Sequence, residues 1–195
     1  MTFGRVRRRM LPESRGRVAM LAVSSYMIVF RILHILAGVA WGGSVFLFVL
    51  FVQPSAAAVG PAAGPFMAEL LGKRKLVATI LWLAGTTIVG GLFLYWHNWL
   101  AVGGLGDFLG TGFGLGLTIG AISAIVAFLI GLFGTKPGVD RLMALARQAA
   151  EASGTPPEEV AQEIPMLQAR LRVLARTNFA FVAVATLAMA TARYW

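Results

Sequence analysis

His34 is the residue best placed to do chemistry in this chain. It is one of two histidines in 195 residues and lies one helical turn after Arg31 inside a long apolar run. Its imidazole can give a nitrogen to a metal, carry a proton near neutrality or donate a hydrogen bond. An ionisable ring within an apolar span costs free energy unless a ligand, a partner or water compensates it, so it marks a functional site by default. Gly38 and Gly42 follow at intervals of four, which sets all three on one helical face with Trp41 beside them. The second histidine, His97, ends another apolar run and keeps rough register with Thr86 and Gly90.

Two readings compete for these residues. In the first, a haem b sits near one membrane surface with His34 as an axial ligand, His97 as a further candidate ligand and Gly38 leaving room for a flat macrocycle. Arg31 would then pair with a haem propionate. In the second, the glycines bring helices together by small-xxx-small packing, and His34 donates a hydrogen bond to a carbonyl across the bundle. His97, next to Tyr95, Trp96 and Trp99, would belong to an interfacial aromatic girdle, and Arg31 would snorkel to the interface. Taken alone, His34 favours the packing reading.

Other chemistry has less support. The chain has no cysteine, which removes disulfides, thiolate metal sites, iron-sulfur clusters and covalent c-type haem. Asp and Glu are missing from every apolar run, which argues against a carboxylate proton relay. The eight methionines are scattered rather than clustered as in a copper site. No Ser-His-Asp, paired-carboxylate, Walker or Rossmann pattern occurs in a usable context. The reading is of a protein that is more binder than enzyme.

These residues need elements to hold them, and composition says which. With 58% hydrophobic residues, 13% charged residues and a mean hydropathy of +0.78, the chain has too little polar surface for a soluble globule. The net charge of +9 sits in a tail and in connections between apolar runs, so it reads as topology and headgroup contact and excludes a nucleic-acid partner. Runs over 28–52, 76–96, 113–133 and 178–194 each have about the 17–25 residues that cross a bilayer as a helix. The predicted fold is all-α: a four-helix membrane bundle. Gln53-Pro54 and Lys136-Pro137 are read as the stops of the first and third spans. Trp41 and Trp82 could face either core or lipid. Gly112, Gly116 and Gly120 give the third span a packing seam, and the fourth span is rich in alanine, which points to helix packing and not to a pore.

Residues 1–27 read as a basic tail and interfacial segment, with Val18 to Phe30 either extending the first helix or lying at the interface. A signal peptide fits less well, since the apolar run is too long and no cleavage site follows. Residues 138–176 are expected to form a helical hairpin near the membrane surface. Its second helix would open with a capping box at Thr155-Pro156-Pro157-Glu158 and kink at Pro165. The charges pull both ways on orientation. The connections 54–75 and 135–177 carry nine Lys and Arg, the tail carries Arg5, Arg7, Arg8, Arg9, Arg15 and Arg17, and 97–112 carries none. Both termini outside is the expectation, with Met20 or Met27 as an alternative start that would remove much of the tail.

The run Arg31-Ile32-Leu33-His34-Ile35-Leu36-Ala37-Gly38-Val39-Ala40-Trp41-Gly42-Gly43 resembles the first helix of the copper-resistance protein D-like membrane superfamily. Pro54-Ser55-Ala56-Ala57-Ala58, Lys73-Arg74-Lys75, Gly90 to Trp96 and Met189 to Tyr194 are similar to its uncharacterised four-helix branch. The resemblance covers roughly 28–195. It implies a small protein of the bacterial plasma membrane and carries His34 over as the first-helix histidine, a candidate axial ligand in haem-binding relatives. The chain has no intramembrane lysine to match the protoporphyrinogen oxidase branch, and its basic tail departs from the pattern. With the resemblance added, the leading expectation is a haem-b-binding or accessory component of membrane electron transfer. A non-catalytic subunit packing against other membrane subunits or its own copies is the alternative. Copper or small-solute transport comes third, on the superfamily name.

Overall fold

The computed structural model describes residues 13–152 and 155–195, with side chains from Ser25 onward. Residues 1–12, the side chains of Arg15 and Arg17, and Ser153-Gly154 therefore lie outside the described residues. Within them the chain is helical and contains no strand. The long helices are α1 (Glu13–Leu47), α4 (Leu76–Ala101), α6 (Gly112–Leu129) and α8 (Glu158–Thr191). Short α2 (Gln53–Val59), α3 (Gly64–Met67) and α5 (Leu105–Leu109) fill connections, and α7 (Lys136–Glu151) follows α6. Four helical stretches are long and apolar enough to cross a membrane.

Two proline positions differ from expectation, for one physical reason. Proline lacks an N–H and its ring collides with the carbonyl four residues back, so it normally ends a helix. Ahead of Pro54 and Pro137 the helix widens into π turns, Phe48–Val52 and Ile130–Thr135. Their i→i+5 bonds run from the Gln53 N–H to Phe48 O and from the Lys136 N–H to Gly131 O. The carbonyls that each ring would strike, those of Leu50 and Phe133, fall inside these turns, where the wider backbone takes up the misfit. Helix α1 thus continues into α2 and α6 into α7, so neither helix stops at its proline.

The segment 138–176 forms the expected pair of helices, α7 packed along the first half of α8, with α7 prolonging α6 at one end and α8 running on through the fourth long helix at the other. Arg141 Nε and Nη2 donate to Glu163 Oε1 and Oε2 at 2.8 and 2.7 Å, clamping α7 to α8. The hydrogen bonds hold the Glu163 carboxyl below the usual carboxylate range and raise the Arg141 guanidinium above its ordinary value. The expected capping box does not form, because α8 begins at Glu158 with Pro157 at the cap position and no side-chain cap. Pro165 lies inside the uninterrupted α8. Val18 to Phe30 belongs to α1, as a helical extension.

Helix α1 packs most closely on α4 and α6 on α8, and thinner α4–α6 and α1–α8 contacts close the bundle. All four helices supply the core: Trp41 and Val45, Ala84, Ala124 and Ala127, and Val182 and Ala185. Phe46 and Phe179 meet edge to face at 4.7 Å beside it. Trp41 is 5% exposed and Trp82 is 80% exposed, which settles their opposite roles. The third-span seam packs as expected. A Cβ at Gly116 would lie 2.9 Å from Ala192 Cβ, and one at Gly120 would lie 2.6 Å from Met189 Cγ. The outer surface is apolar, with Leu36, Val39, Phe51 and Phe133 all exposed.

Candidate functional site

The α1–α4 crossing places His34 against the glycine pair Gly90-Gly91. A Cβ on Gly90 would lie 3.2 Å from Phe30 O and 3.3 Å from His34 N, so α1 and α4 approach almost backbone to backbone. A Cβ on Gly91 would lie 2.8 Å from His34 Cε1 and 2.9 Å from Nδ1. Only glycine leaves the imidazole room at this point. The ring Nδ1 lies 2.7 Å from the Thr87 carbonyl oxygen. A carbonyl only accepts, so Nδ1 carries the proton. In the neutral ring, Nε2 then holds the lone pair, and no partner engages it among the described residues.

The Thr87 side chain is satisfied within its own helix. Its hydroxyl donates to Leu83 O at 2.8 Å, a mid-helix back-bond that leaves the side chain packed rather than solvated. Its methyl fills the space beside Gly38, since a Cβ on Gly38 would lie 3.3 Å from Thr87 Cγ2. Gly38 is therefore a helix-contact residue, and the room it leaves is already taken. Gly42 turns toward α8 and Val182 instead, so the face shared by His34, Gly38 and Gly42 divides between two neighbours. On α4 the residues facing α1 are Thr87, Gly90 and Gly91, whereas Thr86 is exposed and bonds Trp82 O.

His97 is at the same end of the bundle, farther out. Its Nδ1 lies 3.4 Å from Tyr26 Oη, and the two rings meet edge to face at 6.4 Å. Phe30 stacks on Phe93 at 4.3 Å between this pair and His34. Six residues separate Gly91 from His97, about 9 Å along α4. His34 and His97 thus engage different partners, Thr87 O and Tyr26 Oη. Arg31 is exposed, one turn from His34, and makes no ion pair among the described residues.

The crossing thus offers one imidazole nitrogen, Nε2, with its tautomer fixed by the Thr87 carbonyl. A hydrogen bond from Nδ1–H to a carbonyl that orients Nε2 is the usual support of a histidine ligand. Among the described residues, no group of three or more His, Asp or Glu side chains could hold a bare metal ion.

Two polar contacts of the interior escaped the sequence reading. Asn178 is buried, and its Nδ2 donates to Ala127 O at 2.6 Å, tying α8 to α6. Tyr95 and Thr118 share a hydrogen bond of 2.7 Å between α4 and α6. The signal available for Asn178 was a lone amide opening an apolar run, and it was taken only as a span boundary. Compared with protein-family models, with curated proteins and with solved structures, the chain matches none of them.

Proposed function

We propose that the chain is a multi-pass protein of the bacterial plasma membrane that binds haem b through His34 Nε2 and serves as a component of membrane electron transfer. The apolar outer surface of four helices of spanning length supports insertion in a bilayer. One observation carries the haem reading: the Nδ1–H bond to the Thr87 carbonyl, with Gly91 against the ring, presents a lone pair of defined direction. Haem would supply one-electron exchange at iron. His34 would hold the iron, Thr87 would fix the imidazole tautomer, and Arg31 would stand within one turn for a propionate. Reduced and oxidised absorption spectra of the protein from haem-replete cells test this. A Soret band abolished by His34→Ala is expected, and a colourless wild type would sink it.

A second reading has its own support. Thr87 already fills the space beside Gly38, and the Nδ1–H bond to the Thr87 carbonyl gives the imidazole an interhelical role without a ligand. On this reading the protein is a non-catalytic accessory subunit, and His34 is an interhelical fastener. It requires His34→Ala to leave assembly with partner subunits intact.

A further inference from the structure

The end of the bundle opposite His34 carries positive charge that the chain does not neutralise. Lys73 and Arg74 share one acid, Glu69, at 3.1 Å each. Lys136 pairs with Asp140 and Arg141 with Glu163. Lys75, Arg172 and Arg176 are exposed and make no ion pair with any acid among the described residues. Arg172 and Arg176 are four apart on α8, a like-charge spacing that disfavours the helix unless an anion compensates it. The first acid upstream on α8, Glu163, is already engaged by Arg141.

Just inward of these cations is an apolar cavity of about 70 Å³. Leu76 and Ala175 stand in its wall, and they are the direct chain neighbours of Lys75 and Arg176. At about 100° per residue, Arg172 and Arg176 lie roughly 60° and 100° round α8 from Ala175. Asn178, the other wall residue of α8, lies about 60° round on the opposite side of Ala175, so the two arginines border the wall and do not face into it. Val45, Leu71 and Ile80 make the rest of the wall mostly hydrocarbon, with Asn178 and Thr135 as its polar members. An apolar cleft beneath a cationic rim matches an amphiphile with an anionic head.

We propose that this end of the bundle binds an acidic phospholipid, with the phosphate among Lys75, Arg172 and Arg176 and an acyl chain entering the cavity beside Leu76 and Ala175. The proposal rests on the membrane reading above, because it places these cations at headgroup depth. It is independent of haem.

The test uses the full chain in neutral detergent, titrated with phosphatidylglycerol or phosphatidylcholine, with the unfolding temperature read by circular dichroism. Phosphatidylglycerol is expected to raise it, less so at high salt, and phosphatidylcholine to leave it unchanged. The triple variant Lys75→Gln, Arg172→Gln, Arg176→Gln is expected to weaken phosphatidylglycerol binding about fivefold per cation, on the order of a hundredfold together. Ala175→Leu, which fills the cavity but keeps every charge, is expected to weaken the lipid and to leave binding of inorganic phosphate unchanged. Arg5→Gln, Arg7→Gln, Arg8→Gln in the tail is expected to respond as wild type. Equal stabilisation by both lipids, wild-type binding by the triple variant, wild-type lipid binding by Ala175→Leu, or loss of the response in the tail variant would each overturn the proposal. Flotation separates failure of the membrane reading, since a chain that floats with vesicles of neither lipid is not a membrane protein at all.

Discussion

Gly91→Ala tests the His34 crossing, and the structure supplies its magnitude. The new methyl would sit 2.8 Å from His34 Cε1 and 2.9 Å from Nδ1, closer than real Cβ contacts allow. The ring cannot slide away without lengthening its 2.7 Å bond to Thr87 O. Replacing a mid-helix glycine by alanine contributes about 1 kcal/mol of helix propensity. Overpacking a tight site costs about 1–3 kcal/mol, and an interhelical hydrogen bond in a membrane protein averages about 0.6 kcal/mol. The expected net effect is destabilisation of about 0.5–2.5 kcal/mol. Gly85 lies six residues earlier on the same helix, where an added methyl would meet nothing within 4 Å, so Gly85→Ala keeps the propensity gain and is expected to stabilise by about 0.4–1 kcal/mol. Unfolding of both variants in mild detergent, followed by circular dichroism, gives the comparison. In a His34→Ala background the clash has no partner, so Gly91→Ala should become neutral or stabilising, a coupling that a double-mutant cycle reads directly. Equal effects of Gly85→Ala and Gly91→Ala, or an unchanged cost of Gly91→Ala without the imidazole, would refute the crossing described above.

Three further outcomes follow from single contacts. Asn178→Leu removes the bond to Ala127 O and is expected to cost about 0.6–1.7 kcal/mol in the same unfolding assay, whereas Thr86→Val, at an exposed position, should change it little. The Glu163 carboxyl is depressed by Arg141, so the clamp between α7 and α8 is fully present above the ordinary carboxylate range and is lost only as pH falls through the lowered value. Protection of the α7 amides, measured relative to their intrinsic exchange rate at each pH, should therefore be constant near neutral pH and fall in acid, and Glu163→Gln should abolish that fall. In vesicles containing brominated lipid, a variant retaining only Trp82 should be quenched strongly and one retaining only Trp41 weakly, given their exposures of 80% and 5%. Equal quenching would contradict the burial pattern.

How much of this was readable beforehand divides along physical lines. Apolar runs of spanning length named the four long helices and put the start of α4 at Leu76, because length and hydropathy are properties of the local sequence. Pro54 and Pro137 misled, since proline's usual effect assumes an α-helical carbonyl four residues back and a π turn moves it. A π turn has no compositional signature in these runs. The packing reading of His34 foresaw a bond to a carbonyl across the bundle, but could not name Thr87, because register between helices separated by 53 residues is a tertiary property. The same limit turned Thr86 into the expected face residue when Thr87 fills that place. Trp41 and Trp82 are alike in sequence context, and only the packing of α8 and α4 around them tells core from surface.

The absorption spectrum of the purified, haem-replete protein bears most directly on His34 as an iron ligand, recorded with His34→Ala and His97→Ala beside it. A Soret band present in the wild type, lost in His34→Ala and retained in His97→Ala is the expected result, because only His34 has its tautomer set by a carbonyl. A colourless wild type, or a band that survives His34→Ala, would contradict it and leave His34 as the fastener of the α1–α4 crossing.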